Sequence, residues 1–214
     1  NKKKFDTWIK KNSDIQVFIH LAAISSVRET NRNTKKTYKI NSNASINIIK
    51  KLNKAKLPDL EYFLFSSSSH VYCPSNKSLS EKSTRKPSTI YGKSKKRVED
   101  FIFKNKKKIK FKIGIARIFN FHSYKHGEGF FIQDIKKKLF LNKKILRIRK
   151  VNTVRDYIDL EQLCEILFFI LNKKIIKVDN VGSGRQLNLI NLIKLIKDKN
   201  SVKTKLVFEK KKYP

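Results

Sequence analysis

Two side chains in this sequence are spaced to act together on a substrate proton. Tyr91 and Lys95 lie four residues apart in the string PSTIYGKSK, and residues with that spacing share one face of a helix. A tyrosine phenol has a pKa of about 10 and stays protonated at neutral pH, whereas a neighbouring ammonium lowers that pKa. The resulting phenolate could exchange a proton with a hydroxyl or carbonyl, while a second hydroxyl, such as that of Ser68, holds the reacting oxygen.

The abundance of lysine offers a plainer explanation for this pair. Of the 51 basic residues only nine are Arg, which leaves 42 Lys in 214 positions. Each of the seven tyrosines therefore has about a one-in-five chance (42/214) of a lysine four residues later. One such pair is therefore expected by accident. It would lie on a surface helix, where the apolar stem of the lysine covers the tyrosine ring. A catalytic role for the Tyr91–Lys95 pair therefore needs support from other motifs that occur in the expected order along the chain.

The elements that must position these side chains alternate between strands and helices. Segments rich in apolar residues predict buried strands at 16–23, 62–65, 111–119, 175–181 and 202–208, and an extended stretch is predicted at 145–158. Apolar residues at helical spacing predict helices at 5–9, 38–52, 90–103, 130–141, 161–171 and 187–196. This alternation predicts an α/β fold whose parallel sheet is covered by helices on both faces.

Polar clusters follow three of the predicted strands, at 66–70, 120–122 and 182–185. In an open parallel sheet, ligands bind beyond the carboxyl ends of the strands. The first cluster leads into an aperiodic stretch, 69–88, and a loop of that length in a compact domain usually serves function. The loop ends just before Tyr91, so Ser68 and the Tyr91–Lys95 pair are predicted to meet at one edge of the sheet.

Taken in order, these motifs resemble those of the extended short-chain dehydrogenases/reductases, and within them the NAD-dependent epimerase/dehydratase family that acts on nucleotide sugars. VFIHLAAISSV resembles the family's strand and cofactor-side turn, and FLFSSSSHVY with PSTIYGKSK resembles its Ser and Tyr-x-x-x-Lys pair. ARIFN resembles the end of the next strand, TVRDYID a segment that returns to the nucleotide, and VDNVGSGRQLNL a late strand, turn and helix. The resemblance extends from about residue 12 to 195 and implies a Rossmann-like fold with a small substrate-binding lobe.

The resemblance also implies how the chain is divided. Residues 1–120 with 151–185 would form an NAD(P)-binding Rossmann-like domain, and residues 121–150 with 186–214 a substrate-binding lobe. The family's glycine-rich phosphate loop has no counterpart, because the first glycine is Gly92. We therefore expect the chain to be an N-terminally truncated, incomplete version of the family, without the residue that selects NAD or NADP.

The resemblance assigns roles to nine residues. Tyr91 would be the acid/base, Lys95 would lower its pKa and contact the nicotinamide ribose, and Ser68 would position the sugar oxygen. Three further residues would line the NAD or NADP cofactor and three would contact the nucleotide sugar: Ala22, Ala23 and Asn41, and His70, Asn120 and Arg155.

Several of these residues have a plainer interpretation as well. The alanines are small residues at a strand end, and Asn41 would suit an exposed helix face. Asn120 is a common turn residue, and Arg155 beside Asp156 would form a local ion pair.

The residues after Ser68 bear on the type of reaction. The resemblance implies a 4-epimerase or a 4-keto-sugar reductase, because both need hydride transfer at one carbon and the Tyr91 proton. Family dehydratases carry a carboxylate one or two residues after the catalytic hydroxyl, where this chain has Ser69 and His70. Since His70 can exchange protons near neutral pH, a 4,6-dehydratase, such as one acting on GDP-mannose, stays as an alternative. His70 and Cys73 are too few for a metal site, so no metal is expected.

The net charge of +34 (51 − 17) raises a second class of function. The lysines are spread along the whole chain, which indicates compositional drift and predicts no specific nucleic-acid partner. A non-enzymatic polyanion-binding fragment is the alternative.

The longest apolar run, 166–171, is far shorter than the ~20 residues of a membrane helix, and two cysteines form no disulfide framework. We expect a cytoplasmic protein without a membrane partner, and the resemblance implies a homodimer at full length.

Overall fold

The structure of this chain is a computed structural model that describes residues 2–123, 130–141, 144–149 and 154–209. The strands are β1 (Val17–His20), β2 (Tyr62–Ser68), β3 (Lys112–Ile118), β4 (Asn120–His122), β5 (Ile145–Arg149), β6 (Val154–Arg155), β7 (Tyr157–Asp159), β8 (Val178–Val181), β9 (Leu187–Asn188) and β10 (Lys205–Glu209). The helices are α1 (Lys2–Lys11), α2 (Val27–Arg32), α3 (Thr34–Thr37), α4 (Ser45–Lys54), α5 (Ile90–Asn105), α6 (Phe131–Phe140), α7 (Leu160–Asn172) and α8 (Leu189–Lys199). A π-helical segment, Tyr38–Ala44, joins α3 to α4, and 3-10 turns cover Ser69–Val71 and Lys106–Lys108.

The chain forms two compact units, and the first comprises residues 1–119 with 164–181. Its sheet has four parallel strands in the order β1-β2-β3-β8, with Phe63 of β2 beside Phe18 of β1 and Ile113 of β3. The predicted parallel sheet with packed helices, a Rossmann-like α/β fold, is confirmed. Its apolar core is built mainly from α4, β2, α5 and β3, and comprises Ile9, Ile49, Leu52, Leu60, Phe63, Phe65, Val98, Ile102, Phe111 and Ile115.

Strand β1 is shorter and more exposed than the sequence predicts. The apolar run 16–23 predicts a buried strand, but the strand covers four residues and leaves Ile19 45% exposed. Leu21, just beyond it, is 56% exposed. The strand is exposed because, within the described residues, it forms the edge of the sheet and has β2 as its hydrogen-bonded neighbour.

The second unit comprises residues 120–163 with 182–214. Its described residues form three two-stranded ladders: β5 with β10 and β4 with β7 are parallel, and β6 with β9 is antiparallel. Its core lies between α6, α8 and the β5–β10 ladder, and comprises Ile132, Ile135, Leu139, Leu146, Ile148, Leu189, Leu192, Ile193 and Ile196.

The two units divide the chain at slightly different residues from the predicted domains. Residues 154–163 and 182–185 lie in the second unit, because β7 pairs with β4 and β6 pairs with β9. The roles predicted for the two domains, cofactor binding and substrate binding, stay predictions. Within the described part of the chain, no helix is long and apolar enough to cross a membrane.

The core of the first unit generates a stability prediction. Ile49 of α4 is fully buried in it, so Ile49→Ala removes three carbons and leaves a cavity. We expect the free energy of unfolding to fall by about 2–5 kcal/mol in urea titrations. Ile19→Ala on the exposed side of β1 is the matched control, with a much smaller expected loss. Equal losses for the two variants would contradict the described packing.

Candidate active site

The carboxyl end of β2 supplies the first side chain of the candidate site. Ser68 is its last residue and is buried. The chain turns there into the 3-10 turn Ser69–Val71, and the Ser68 Oγ accepts a hydrogen bond from the His70 amide at 3.2 Å. This turn fixes the serine side chain at the carboxyl end of the strand, as predicted from the sequence, and the structure shows this strand to be an inner one.

Helix α5 begins close against the same turn. Its N-cap is Thr89, whose Oγ1 accepts the Gly92 amide at 3.0 Å and lies 3.5 Å from the His70 Nδ1. Gly92 is required for this packing, because a Cβ at that position would stand 2.1 Å from the His70 carbonyl oxygen. The absence of a side chain therefore lets the first turn of the helix lie directly on the turn after β2.

The close packing brings Tyr91 to Ser68. The Tyr91 phenol lies near the Ser68 hydroxyl, which interacts with it and lowers its pKa. The ring of His70 meets the ring of Tyr91 edge-on, with 5.6 Å between the ring centroids. Three of the residues selected from the sequence thus lie side by side.

Lys95, one helical turn further along α5, completes the cluster. Its side chain is 1% exposed, and its Nζ donates a hydrogen bond to the Ser66 carbonyl oxygen at 2.6 Å. The same Nζ lies 5.9 Å from the centroid of the Tyr91 ring and 5.0 Å from that of Phe65. The Tyr91 phenol and the Lys95 ammonium therefore both lie at the last three residues of β2, which include Ser68.

The electrostatics of this cluster differ from the sequence prediction. Burial raises the pKa of Tyr91 to about 12, and the Ser68 hydrogen bond only partly offsets it. Burial also lowers the pKa of Lys95 to about 8. The predicted lowering of the Tyr91 pKa by Lys95 is therefore wrong for this geometry. The ammonium is bound to a backbone carbonyl, and the loss of water around both groups outweighs their attraction.

Asn41 lies in the π-helical segment and is fully buried. Its Oδ1 accepts the Ile24 amide at 2.8 Å, and its Nδ2 donates to the Ile24 carbonyl at 2.9 Å and to the Ser94 Oγ at 3.2 Å. The interpretation as an exposed polar residue is wrong, since the side chain ties the loop after β1 to α5. Ala22 and Ala23, the other two residues expected at the cofactor, lie in that loop and are exposed and half-buried, respectively.

His20 is the last residue of β1 and its side chain lies in the core. It is buried, and its Nε2 lies 2.8 Å from the Ser45 Oγ. Because that hydroxyl donates to the Asn41 carbonyl, it accepts from the His20 ring. Burial, reinforced by the positive charge of Lys95, lowers the pKa of His20 to about 4. The ring is therefore neutral at physiological pH.

The two remaining predicted residues lie in the second unit. Asn120 is half-buried in β4, and its Nδ2 donates to the Asp156 carbonyl at 3.0 Å. Arg155 is exposed in β6, with its Nη1 donating to the Val154 carbonyl at 2.9 Å. Residues 150–153 of the extended stretch predicted at 145–158 lie outside the described residues.

The Asp156 carboxylate binds the glycine-containing turn at 182–184. It accepts hydrogen bonds from the Ser183 amide and hydroxyl and from the Gly184 amide, at 2.7–2.9 Å. Gly184 adopts a positive φ of 73°, which suits a residue without a Cβ. These amides therefore hold a carboxylate of the chain itself, and this is the arrangement of a structural turn rather than a phosphate loop.

A buried polar network beside the site was missed in the sequence analysis. Glu99 and Arg117 are 0% and 2% exposed and form an ion pair with a 2.7 Å contact. Two signals could have found them. Glu99 follows Lys95 by four residues and so continues its helical face, and Arg117 is a charged residue inside an apolar strand.

Comparison with known proteins identifies the family of this chain. The family model of the NAD-dependent epimerase/dehydratase family matches residues 1–188. The chain belongs to this family. A curated relative, GDP-6-deoxy-D-talose 4-dehydrogenase from Aggregatibacter actinomycetemcomitans, is 26% identical over 157 residues, which cover 73% of this chain. That match covers 52% of the relative, so this chain spans about half the length of the curated relative.

Solved structures agree on the fold. UDP-glucose 4-epimerase from Thermotoga maritima, solved with UDP-glucose, has a TM-score of 0.86 at 20% identity, covering 99% of this chain and 69% of the other. RMD from Pseudomonas aeruginosa, complexed with NADPH, has a TM-score of 0.81 at 24% identity, covering 91% of this chain and 69% of the other. UDP-glucose 4-epimerase from Thermus thermophilus, solved with NAD, scores 0.83 at 15% identity, covering 98% and 70%.

The buried ammonium of Lys95 generates a prediction about stability and pH. In the folded chain its pKa is about 8, below the ordinary value of 10.5. Above pH 8 the unfolded chain binds a proton that the folded chain does not, so the free energy of unfolding rises with pH. Denaturant titrations between about pH 8 and pH 9, below the ordinary range of tyrosine ionisation, are expected to show this rise.

Lys95→Met keeps the apolar stem of the side chain without the charge. We expect this variant to flatten the rise of the free energy of unfolding with pH. Lys93→Met, at an exposed position on the same helix, is the matched control and should leave it in place. A rise that persists in the Lys95 variant would contradict the burial of this cation.

Proposed function

We propose that the full-length protein is an NAD(P)-dependent enzyme that transfers a hydride and a proton at the C4 position of a nucleoside diphosphate sugar. The observation that carries the proposal is the position of Tyr91 at the turn after β2, where its ring meets that of His70 and its phenol lies near the Ser68 hydroxyl, beside the buried ammonium of Lys95. The curated relative is a 4-dehydrogenase, and two of the similar structures are 4-epimerases. Both names describe chemistry at the same sugar carbon.

Tyr91 would act first as a proton donor. With a pKa raised to about 12 by burial, its phenol is protonated at neutral pH. A protonated phenol beside a serine hydroxyl can donate to a ketone oxygen that both groups contact. This protonation state favours reduction of a 4-keto sugar, and in the reverse direction the same oxygen would take the proton of a C4 hydroxyl.

Lys95 would hold the cofactor's sugar. An ammonium has three donors, and among the described residues one of them is used, toward the Ser66 carbonyl. The remaining donors suit neutral hydroxyl acceptors such as those of a ribose. The nicotinamide cofactor, which accepts or supplies the hydride, would lie along the loop after β1, where Ala22 and Ala23 present no bulk. Asn41 would act by holding that loop at Ile24.

Three further residues would contact the nucleotide sugar. His70 would contact the sugar, since its ring lies against Tyr91. Asn120 and Arg155 would contact the nucleotide, for which the exposed guanidinium of Arg155 offers donors to phosphate or base oxygens. The neighbouring structures solved with a nucleotide sugar include complexes with UDP-glucose, UDP-glucuronic acid and UDP-N-acetylmuramic acid, and the curated relative is named for a GDP sugar.

Reductase or epimerase chemistry is preferred over dehydration. Elimination of water from a sugar needs an additional acid/base besides the tyrosine, and Ser69 offers no carboxylate for it. His70 is the group that could supply this function, so formation of a 4-keto-6-deoxy sugar is retained as one outcome of the assay. The reactions differ in cofactor balance: a reductase consumes one reduced cofactor per sugar, whereas an epimerase and a dehydratase consume none.

Tyr91→Phe tests the proposal in the full-length protein. The substitution removes the hydroxyl and keeps the ring, so folding and NAD(P) binding should persist. We expect kcat to fall by a factor on the order of 10² to 10⁴, the range for losing general acid/base catalysis. Turnover is measured by cofactor absorbance and by chromatography of the sugar nucleotides.

The matched control is Lys93→Ala, which removes an exposed lysine from the same helix turn. Its turnover should equal that of the unmodified protein. If Tyr91→Phe retains full turnover, the tyrosine–lysine spacing is accidental and the proposed function is wrong.

A further inference from the structure

The most heavily hydrogen-bonded carboxylate in the first unit is not among the residues given a role above. Glu99 lies on α5, four residues after Lys95 and eight after Tyr91, and is fully buried. Its Oε1 accepts the Ser67 hydroxyl at 2.5 Å and the Arg117 Nε at 3.0 Å. Its Oε2 accepts the Arg117 Nη2 at 2.7 Å and an Arg85 Nη1 at 3.2 Å.

Arg117 extends this cluster to the rest of the sheet. It lies in β3, and its Nη1 donates to the Tyr72 hydroxyl at 2.8 Å and to the Glu81 carbonyl at 3.1 Å. The Tyr72 hydroxyl in turn donates to the Asn180 Oδ1 in β8 at 2.6 Å. Burial lowers the pKa of Arg117, but its bonds to Glu99 and Tyr72 more than offset this and raise it. The network therefore holds a permanent cation.

An ion pair of this kind does little for stability as such. Removing two charges from water is costly, and well-packed apolar side chains of similar volume often give equal or greater stability. A bidentate arginine–carboxylate pair does fix orientation, because its two parallel hydrogen bonds form together only at one relative position of the two side chains. Here the partners are α5, the end of β2 and β3.

The geometry links this pair directly to the candidate site. Ser67, which donates to Glu99, is the neighbour of Ser68, while Glu99 continues the helix face of Tyr91 and Lys95. Two bonds therefore join α5 to the end of β2: Ser67 to Glu99, and Lys95 to the Ser66 carbonyl at 2.6 Å. The contact of Ser68 with Tyr91 lies next to these bonds, one residue after Ser67 on β2 and one helical turn before Lys95 on α5.

We propose that Glu99 and Arg117 are a positioning pair, which holds α5 at the register where the Tyr91 phenol meets the Ser68 hydroxyl. The proposal rests on the function proposed above for Tyr91. Neither residue touches substrate in this account, and Ser67 carries their effect to the strand that bears Ser68.

The test uses Ser67→Ala in the full-length protein. The variant removes the bond between β2 and Glu99 while Arg117 and Arg85 still satisfy the carboxylate. We expect kcat to fall by about tenfold to a hundredfold, the scale for a small misplacement of a reacting group. The KM for the nucleotide sugar and the melting temperature should change little.

The pH profile distinguishes positioning from a loss of stability. The Ser68 hydrogen bond lowers the pKa of Tyr91, so weakening that bond should shift the Tyr91-dependent limb of the kcat profile to higher pH. Ile49→Val is the matched control, because Ile49 is fully buried in the same unit and outside the network. It should lower the melting temperature without moving kcat or the profile.

A double variant, Glu99→Leu with Arg117→Met, removes both charges together. If the pair positions α5, the melting temperature should remain near that of the unmodified protein. The kcat should be as low as in Ser67→Ala, and the Tyr91-dependent limb of the kcat profile should again lie at higher pH. If this variant does not fold, Ser67→Ala decides alone.

Tyr91→Phe separates the failure of this proposal from the failure of the proposed function. Full turnover in Tyr91→Phe would overturn the function. A large loss in Tyr91→Phe, together with unchanged kcat and an unshifted pH profile in Ser67→Ala, would overturn the positioning role alone.

Discussion

The first turn of α5 lies directly on the turn that follows β2, and the candidate chemistry depends on this contact. Gly92 permits it, since a Cβ there would stand 2.1 Å from a backbone oxygen. The same contact places the Tyr91 phenol against the Ser68 hydroxyl and directs the Lys95 ammonium to the Ser66 carbonyl. A helix displaced by one turn would separate all three pairs. The parallel sheet and its core serve to hold this helix in place.

Burial explains the protonation states that this contact creates. The phenol and the ammonium both lose water, so the pKa of Tyr91 rises and that of Lys95 falls, and each group is driven toward its neutral form. A neutral phenol is a ready proton donor for a ketone oxygen. The state of the site therefore follows from packing more than from the attraction between tyrosine and lysine.

The sequence predicted the parts of this arrangement that depend on local pattern. The apolar runs identified β2 and β3, and helical spacing with a long preceding loop identified α5, because these elements are buried against their neighbours. Strand β1 is predicted as buried because its apolar residues do not reveal that it forms the edge of the sheet within the described part of the chain. The burial of Asn41 and the pairing of Glu99 with Arg117 were missed, since both depend on contacts between elements far apart in the sequence. The direction of the Tyr91 pKa was missed for a similar reason: desolvation depends on the folded environment.

The ionisation of Tyr91 tests this account most directly. With ring-labelled tyrosine, NMR spectra assigned through Tyr91→Phe report the protonation of this phenol alone. At about pH 10, where an ordinary tyrosine is half-ionised, Tyr91 is predicted to remain protonated. Ser68→Ala should move its ionisation to still higher pH, because the serine hydrogen bond lowers the pKa. Half-ionisation of Tyr91 near pH 10, unaffected by Ser68→Ala, would contradict both the burial of the phenol and its contact with the serine.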